Sequence, residues 1–130
     1  MQPILIAGPC AAENEQQLFA TAQQLWEVLS VRKKKLDFFR AGVWKPRSNP
    51  ASFVGIGEAA LPWLVEVRKR FGFEVCVEVL SAKHVEECAK HDIKAIWVGA
   101  RTGVNPIEVQ KIAEAVKGLP FTVMVKNPLV

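Results

Sequence analysis

Residues 74–100 read EVCVEVLSAKHVEECAKHDIKAIWVGA, and this stretch decides the predicted fold. Its two ends, 74–80 and 95–100, are apolar runs that are too continuous for strands with one face in water. Strands that are buried on both faces, as in parallel sheets, have this composition. Between the runs, Val85 and Cys88 share the apolar face of a short helix. The stretch therefore predicts a β-α-β unit.

The same alternation continues on both sides of this unit. Further apolar runs lie at 3–8, 36–43 and 121–126. Helical patterns fill the intervals between the runs, and the predicted helices lie within residues 14–30, 57–72, 83–93 and 105–118. The order is therefore β-α-β-α-β-α-β-α-β in a single domain, residues 1–130, without a linker.

Local signals mark the ends of these helices. Asn14 and Asn105 are placed as N-caps, and Pro106 suits the first helical position. Gly118 suits the position just past a helix end. Pro62 indicates that the second helix either begins nearby or is kinked. In the first helix, the apolar stripe that includes Leu25, Trp26 and Leu29 is interpreted as core packing.

Two architectures fit this order of elements. Successive right-handed β-α-β units form either an open doubly wound sheet or a closed barrel. A complete (β/α)8 barrel needs about 250 residues, whereas the chain has 130. The pattern alone slightly favours an open flavodoxin-like sheet.

Composition restricts the class of protein. Half of the residues are apolar and the formal net charge is +4, which is typical of a globular chain. No apolar run is long enough for a membrane span, and the N-terminus is interpreted as a first strand, not a signal peptide. These features predict a cytoplasmic protein without disulfides. The basic run Arg32–Lys35 is interpreted as a solvated turn and not as a nucleic-acid site.

The strand ends carry the residues with chemistry. In parallel α/β folds, ligands bind at the carboxyl ends of the strands. Five cations brought to one rim would repel one another unless phosphate or carboxylate groups lie among them. More than one anionic group is therefore predicted. The five cations and two further candidate site residues at the strand ends are Arg40, Lys45, Arg47, Arg101 and Lys126, with Cys10 and Glu78.

Several of these residues have competing interpretations. A cysteine is most often a small buried apolar residue, but Cys10 follows a strand among polar residues and is a candidate nucleophile or metal ligand. Glu78 fits a structural ion pair and a direct role equally well. His84 and His91 are assigned to the surface of the third helix. Common nucleotide, zinc-protease and serine-hydrolase motifs are absent from the sequence.

The strand-end motifs resemble those of 3-deoxy-D-arabino-heptulosonate 7-phosphate (DAHP) synthase. The combination of GPC, then Arg-x4-Lys-Pro-Arg, then GAR-T is more specific than any one motif alone. The sequence around Trp44 is closest to the bacterial branch that is fused to a chorismate mutase domain. The matching segments are IAGPC (6–10), FRAGVWKPRSNPASFVGIGEAAL (39–61), EVCVEVLSAKHVE (74–86), IWVGART (96–102) and VMVKNP (123–128).

The resemblance implies a fold and a reaction. The fold would be a (β/α)8 TIM barrel, of which this chain holds the first five strands and four helices. The reaction would condense phosphoenolpyruvate with erythrose 4-phosphate and release phosphate, as the first step of the shikimate pathway to aromatic amino acids.

The resemblance also implies roles for individual residues. Cys10 would be a ligand to a divalent metal ion of the Mn, Fe, Zn or Co type, and Lys45 would lie at the reacting centre. Proton transfer by Lys45 is a separate hypothesis, which follows from general acid–base chemistry and not from the resemblance. Pro46, Arg47 and Ser48 would hold the erythrose 4-phosphate end. The residues expected to contact phosphoenolpyruvate are Arg40, Lys45, Gly99, Ala100, Arg101 and Lys126.

The resemblance covers only part of the family's site. The other metal ligands of the family, a His, a Glu and an Asp, come from later strands, so the catalytic domain is expected to be truncated after strand five and inactive alone. Family members are dimers or tetramers, and neither nucleic acid nor a membrane is expected as a partner. One alternative is 3-deoxy-octulosonate 8-phosphate synthase, which typically has a K-A-N-R-S type segment where this chain has Lys45-Pro46-Arg47-Ser48. Another is a non-catalytic phosphate-binding half-barrel.

Overall fold

The computed structural model describes residues 2–47 and 49–127, which form one five-stranded parallel sheet. Each strand pairs in parallel with the next one in the chain. This strand order is that of a barrel and differs from the flavodoxin-like order 2-1-3-4-5. The flavodoxin-like sheet that the pattern alone slightly favoured is therefore wrong, and the order agrees with the first five strands of a TIM barrel that the resemblance implies. The strands are β1 (Ile6–Ala7), β2 (Phe38–Arg40), β3 (Val75–Val79), β4 (Ala95–Val98) and β5 (Thr122–Val125).

Helices connect the strands. The four predicted helices are confirmed, and α2 is preceded by a 3-10 turn, Gly57–Ala60. A one-turn helix after β4 was not predicted; it closes because the Gly103 N–H donates to the Gly99 carbonyl at 2.8 Å. The helices are α1 (Glu15–Arg32), α2 (Leu61–Phe71), α3 (Ala82–Lys90), α4 (Ala100–Gly103) and α5 (Pro106–Val116).

The predicted helix ends are confirmed in detail. The Asn14 side chain accepts a hydrogen bond from the Gln17 N–H. The Asn105 side chain does the same for the first turn of α5. Pro62 lies in the first turn of α2, where the missing N–H costs nothing, so it starts this helix and does not kink it.

The core lies between the sheet and the helices. Phe39 of β2 and Ile96 of β4 are fully buried against helix residues such as Leu18 and Leu64. Every residue of β3 is buried, as predicted for a central parallel strand. Trp26 does not belong to this core, because 45% of its surface is exposed.

The two outer strands are less covered. Val123 is 40% exposed and Val125 is 68% exposed, so β5 lacks the burial that its composition predicted. β1 contains only two paired residues and is partly exposed. Within the described residues, no helix is both long and apolar enough to cross a membrane.

Candidate active site

A cleft of about 350 Å³ opens at the carboxyl ends of the strands. Each of the five strands contributes to it, either directly or through the residues that follow it. Five cationic side chains share the cleft with one carboxylate, that of Glu78. The lining residues are Cys10, Arg40, Lys45, Pro46, Arg47, Glu78, Trp97, Gly99, Ala100, Arg101 and Lys126.

Lys45 joins three strand ends. Its Nζ donates a hydrogen bond to the Cys10 carbonyl oxygen at 3.1 Å. The same Nζ lies 4.0 Å from Glu78 Oε1, and both side chains are only 9% exposed. The segments after β1 and β2 and strand β3 are therefore tied together at one ammonium group.

Glu78 is the only buried acidic residue within the described part of the chain. Its Oε1 accepts a hydrogen bond from Trp97 Nε1 at 3.1 Å. Its Oε2 is buried and has no hydrogen-bond partner among residues 2–47 and 49–127. A buried carboxylate oxygen without a partner is unfavourable unless a ligand or a proton satisfies it. Oε2 is therefore a free acceptor at the cleft.

Two glycines permit these placements. A Cβ on Gly42 would lie 2.6 Å from Lys45 Cδ and 2.5 Å from the Cys10 carbonyl oxygen. A Cβ on Gly99 would lie 2.8 Å from Glu78 Oε2. Any larger residue at either position would displace the charged group beside it.

Arg40 and Trp97 share the concave side of the sheet. The Arg40 guanidinium lies 5.9 Å from the centre of the Trp97 ring, which is within cation–π range. Trp97 lies opposite Glu78 in the register of β3 and β4, so the two side chains point to the same face. Trp97 thus contacts both the Arg40 guanidinium and the Glu78 carboxylate.

The remaining cations lie at the rim. Arg101 Nη1 donates to the Pro46 carbonyl oxygen, which joins the segment after β4 to the segment after β2. Arg47 Nε donates to the Phe53 carbonyl oxygen at 2.9 Å.

Within residues 2–47 and 49–127, the cations of the rim outnumber the carboxylates that contact them. Among the described residues, Arg40, Arg47, Arg101 and Lys126 form no ion pair with a carboxylate. This excess of positive charge suits a ligand with more than one anionic group.

The structure brings the predicted site residues together, with one exception. Ser48 lies outside the described residues, and the functional roles of the others stay predictions. Trp97 was missed, although its spacing from the strand-end Gly99 could have placed it on the inner face of β4. His84 was assigned to the surface, which is wrong, because its ring is half-buried against Trp44.

The described residues do not form a complete metal site. No three His, Cys, Asp or Glu side chains within 2–47 and 49–127 are placed to hold a metal ion together. Cys10 contributes one soft donor at the cleft.

The three thiols differ in accessibility. Cys10 is exposed, whereas Cys76 and Cys88 are buried. Burial raises the pKa of both the Cys76 and the Cys88 thiols to about 12. Since the thiolate is the reactive and metal-binding form, Cys10 is the thiol that is available for chemistry.

Comparison with known proteins identifies the family. The family model described as the DAHP synthetase I family matches residues 1–129. The chain belongs to the DAHP synthetase I family. The resemblance of the strand-end motifs to this family is therefore confirmed.

Two matches to proteins from Thermotoga maritima agree with this assignment. A phospho-2-dehydro-3-deoxyheptonate aldolase is 38% identical over 102 residues, which cover 78% of this chain and 28% of the relative. A crystal structure of a DAHP synthase from the same organism superimposes with a TM-score of 0.75 and 30% identity, covering 96% of this chain and 34% of the other. The five strands thus match part of a TIM barrel, and the chain spans about a third or less of these relatives' length.

Members of a sister group match over a shorter stretch. A 2-dehydro-3-deoxyphosphooctonate aldolase from Helicobacter hepaticus is 37% identical over 92 residues, covering 66% of this chain and 33% of the relative. The enzyme of the same name from Variovorax paradoxus is 36% identical over 87 residues, covering 66% and 30%.

Proposed function

We propose that this chain contributes the phosphoenolpyruvate site, and part of the erythrose 4-phosphate site, of a DAHP synthase. Such an enzyme joins C3 of phosphoenolpyruvate to the aldehyde carbon of erythrose 4-phosphate. Water adds to C2, and the tetrahedral intermediate releases inorganic phosphate. The observation that carries the proposal is the cleft in which five cations surround one carboxylate, in a chain of the DAHP synthetase I family.

Phosphoenolpyruvate has a carboxylate and a phosphate, and the inner part of the cleft offers cations for both. Arg40, Arg101 and Lys126 are proposed to bind these groups, together with the backbone at Gly99 and Ala100. Guanidinium groups bind such oxyanions through paired hydrogen bonds. Held on several strands, these cations would orient the ligand and stabilise the negative charge that develops on it.

The segment after β2 is proposed to hold the second substrate. Arg47 is exposed, so it is accessible to a sugar phosphate, and its bond to Phe53 fixes the guanidinium at the rim. Pro46 and Ser48 take part by analogy with the family motif. For Ser48 the proposal rests on the resemblance alone.

Lys45 lies between the two ends of the cleft. Its hydrogen bond to the Cys10 carbonyl and its contact with Glu78 support the proposal that the ammonium acts at the point of reaction. Here it can donate a proton to the aldehyde oxygen as that oxygen gains charge. Glu78 Oε2 is buried and has no partner among the described residues, while Oε1 faces Lys45 and Trp97, so Glu78 combines a structural contact with an unsatisfied acceptor.

Further properties of the complete enzyme are proposed from the resemblance. Cys10 would be one ligand of the divalent metal ion, with the other ligands supplied by residues beyond those described. A homo-oligomeric state, a cytoplasmic location and a fused chorismate mutase domain remain predictions. Titration of the chain with Mn²⁺, compared with Cys10→Ser, tests the part assigned to Cys10.

A second candidate is the octulosonate enzyme. The matches to two 2-dehydro-3-deoxyphosphooctonate aldolases favour it, but they cover less of the chain than the heptonate relative does. An eight-carbon product requires a five-carbon sugar phosphate as the second substrate. Preferential binding of such a sugar phosphate over erythrose 4-phosphate would replace the main proposal with this one.

Calorimetric titration with phosphoenolpyruvate tests the proposal. We expect saturable binding, which Arg101→Ala or Lys126→Ala weakens about tenfold or more, since a charge-assisted hydrogen bond contributes roughly 1.5–3 kcal/mol. Lys117→Ala is the matched control, because Lys117 is an exposed lysine outside the cleft. Absence of saturable binding, or equal losses in all three variants, would refute the site.

Catalytic turnover by the chain alone is tested by phosphate release. With phosphoenolpyruvate, erythrose 4-phosphate and Mn²⁺ present, we expect the chain alone to release no phosphate above background, because its described residues supply one metal donor. Phosphate release that depends on both substrates would show that these residues suffice for catalysis, contrary to this expectation.

A further inference from the structure

His84 lies outside the cleft, but its ring stacks on the residue that precedes Lys45. The centroids of the His84 and Trp44 rings are 3.9 Å apart, and the ring planes differ by 6°. His84 belongs to α3, which begins three residues after β3 ends. The stack therefore connects the segment that carries Lys45 to the segment that carries Glu78.

Hydrogen bonds at the start of α3 fix the His84 ring. Its Nδ1 accepts a hydrogen bond from the Leu80 backbone N–H at 3.0 Å. The His84 backbone N–H in turn donates to Ser81 Oγ, the N-cap of α3, at 3.4 Å. The pattern differs from a capping box, because the His84 side chain accepts from Leu80, the residue before the N-cap, and not from Ser81 itself.

The hydrogen bond sets the protonation state of the ring. Because Nδ1 is an acceptor, the ring is neutral and carries its proton on Nε2. Desolvation by burial, with a smaller effect from the Lys83 ammonium, lowers the pKa of His84 below 6.5. On the loop side the ring faces the uncharged indole of Trp44.

The backbone on both sides of Trp44 is also fixed. The Val43 carbonyl accepts from the Gly57 N–H at 2.8 Å, and the Lys45 N–H donates to the Val54 carbonyl at 2.8 Å. Both bonds close the base of the loop formed by residues 43–57. The Trp44 side chain contacts α3 through its stack on His84.

We propose that His84 is a positioning residue for Lys45, acting through its stack on Trp44. The stack holds the base of the loop, so that Lys45 Nζ reaches the Cys10 carbonyl and Glu78. The inference rests on the proposed function, because Lys45 belongs to the site that is proposed to bind phosphoenolpyruvate.

Amide hydrogen exchange tests the positioning without any ligand. In His84→Ala, we expect the Lys45 and Gly57 amides to exchange about fivefold faster, while the Ile96 amide in β4 reports unchanged global stability. His84→Phe keeps the stacked ring and should restore most of the protection, whereas His84→Asn keeps an acceptor near the Nδ1 position and should not. Unchanged exchange at both loop amides in His84→Ala would overturn the inference.

A thermodynamic cycle tests whether the effect passes through Lys45. His84→Ala should weaken phosphoenolpyruvate binding about fivefold in the parent, and less than twofold when Lys45→Met is present. Equal losses in both backgrounds would show that His84 does not act through Lys45. If the parent binds no phosphoenolpyruvate, the proposed function fails, and the exchange measurement still decides whether His84 positions the loop.

Discussion

At the scale of single residues, Lys45 and Glu78 define the centre of the cleft. Their charged atoms are 4.0 Å apart and largely buried, so solvent screens their attraction less than it would at the surface. This contact does not satisfy all of the Glu78 carboxylate, because Oε2 has no partner among the described residues. The pair is therefore suited to holding a ligand as well as to stabilising the fold.

Thiol accessibility gives a first prediction. At pH 8 and in the folded chain, a thiol-specific reagent should modify Cys10 rapidly and leave Cys76 and Cys88 unmodified, because burial raises the pKa of both latter thiols to about 12. Mass spectrometry after tryptic digestion identifies the modified residue. Cys10→Ser should abolish the fast phase, and rapid labelling at either buried position would contradict the structure.

The lowered pKa of His84 predicts a pH dependence of stability. In the unfolded chain His84 takes up a proton near pH 6.5, whereas the fold keeps it neutral to a lower pH. The unfolded state therefore binds more protons in this window, and the free energy of unfolding falls as the pH decreases below 6.5. This loss levels off once the pH passes the folded-state pKa.

Urea unfolding of the parent and of His84→Phe, from pH 8 to pH 5, measures this contribution. Phe cannot be protonated, so the stability difference between the two proteins should change over the acidic part of the range. Parallel stability curves over the whole range would show that His84 does not titrate differently in the folded and unfolded states.

At the scale of secondary-structure elements, the site depends on close approach between the strand ends. The backbone after β1 pairs with the backbone after β2 through the Ala12 N–H and the Gly42 carbonyl, 2.9 Å apart, and through the Gly42 N–H and the Cys10 carbonyl, 3.1 Å apart. The absent side chain of Gly42 leaves the space that Lys45 crosses. The geometry of these two segments thus sets the position of the ammonium group.

Gly42→Ala tests this close approach. The added Cβ would overlap both the Lys45 side chain and the Cys10 carbonyl, so we expect a loss of about 1–3 kcal/mol in the free energy of unfolding and weaker phosphoenolpyruvate binding. Gly103→Ala is the control, because Gly103 is helical and its nearest neighbour to an added Cβ is 3.9 Å away. A Gly42→Ala protein as stable as the parent would contradict the described packing.

Much of the element structure was predictable, because its signals are local. Asn14, Asn105 and Pro62 mark helix starts through their own backbone chemistry, and the structure confirms each of them. The one-turn helix Ala100–Gly103 was not predicted, since so short a segment carries no periodic apolar pattern. The exposure of Trp26 was also missed. Periodicity indicates which face of a helix is apolar, but it does not show how much of that face the neighbouring elements cover.

At the scale of the whole molecule, the chain is a curled part of a barrel. Its sheet runs from β1 to β5 in chain order, and the chain covers 34% of the solved DAHP synthase that it matches. The periodic pattern could not distinguish this sheet from an open one, because both are built from the same β-α-β units. The strand-end motifs supplied the distinction through the family that they resemble.

The residues that line the cleft were also predictable, whereas the contacts between their side chains were not. Parallel strands deliver their carboxyl ends to one rim, so Arg40, Arg101 and Lys126 could be grouped from their positions alone. The bond from Trp97 to Glu78 and the stack of His84 on Trp44 depend on register and side-chain direction. Neither follows from spacing in the sequence.

Phosphoenolpyruvate is proposed to bind at the carboxyl ends of these strands. Backbone amide chemical shifts, followed by NMR during titration of the isotope-labelled chain with phosphoenolpyruvate, test this binding site residue by residue. We expect saturable shifts at Gly99, Ala100, Arg101 and Lys126. A second basic groove, lined by Lys33, Lys34 and Lys35, is the internal comparison and should show small, non-saturating changes. Saturable shifts confined to that groove, or none at the strand ends, would refute the proposed binding site.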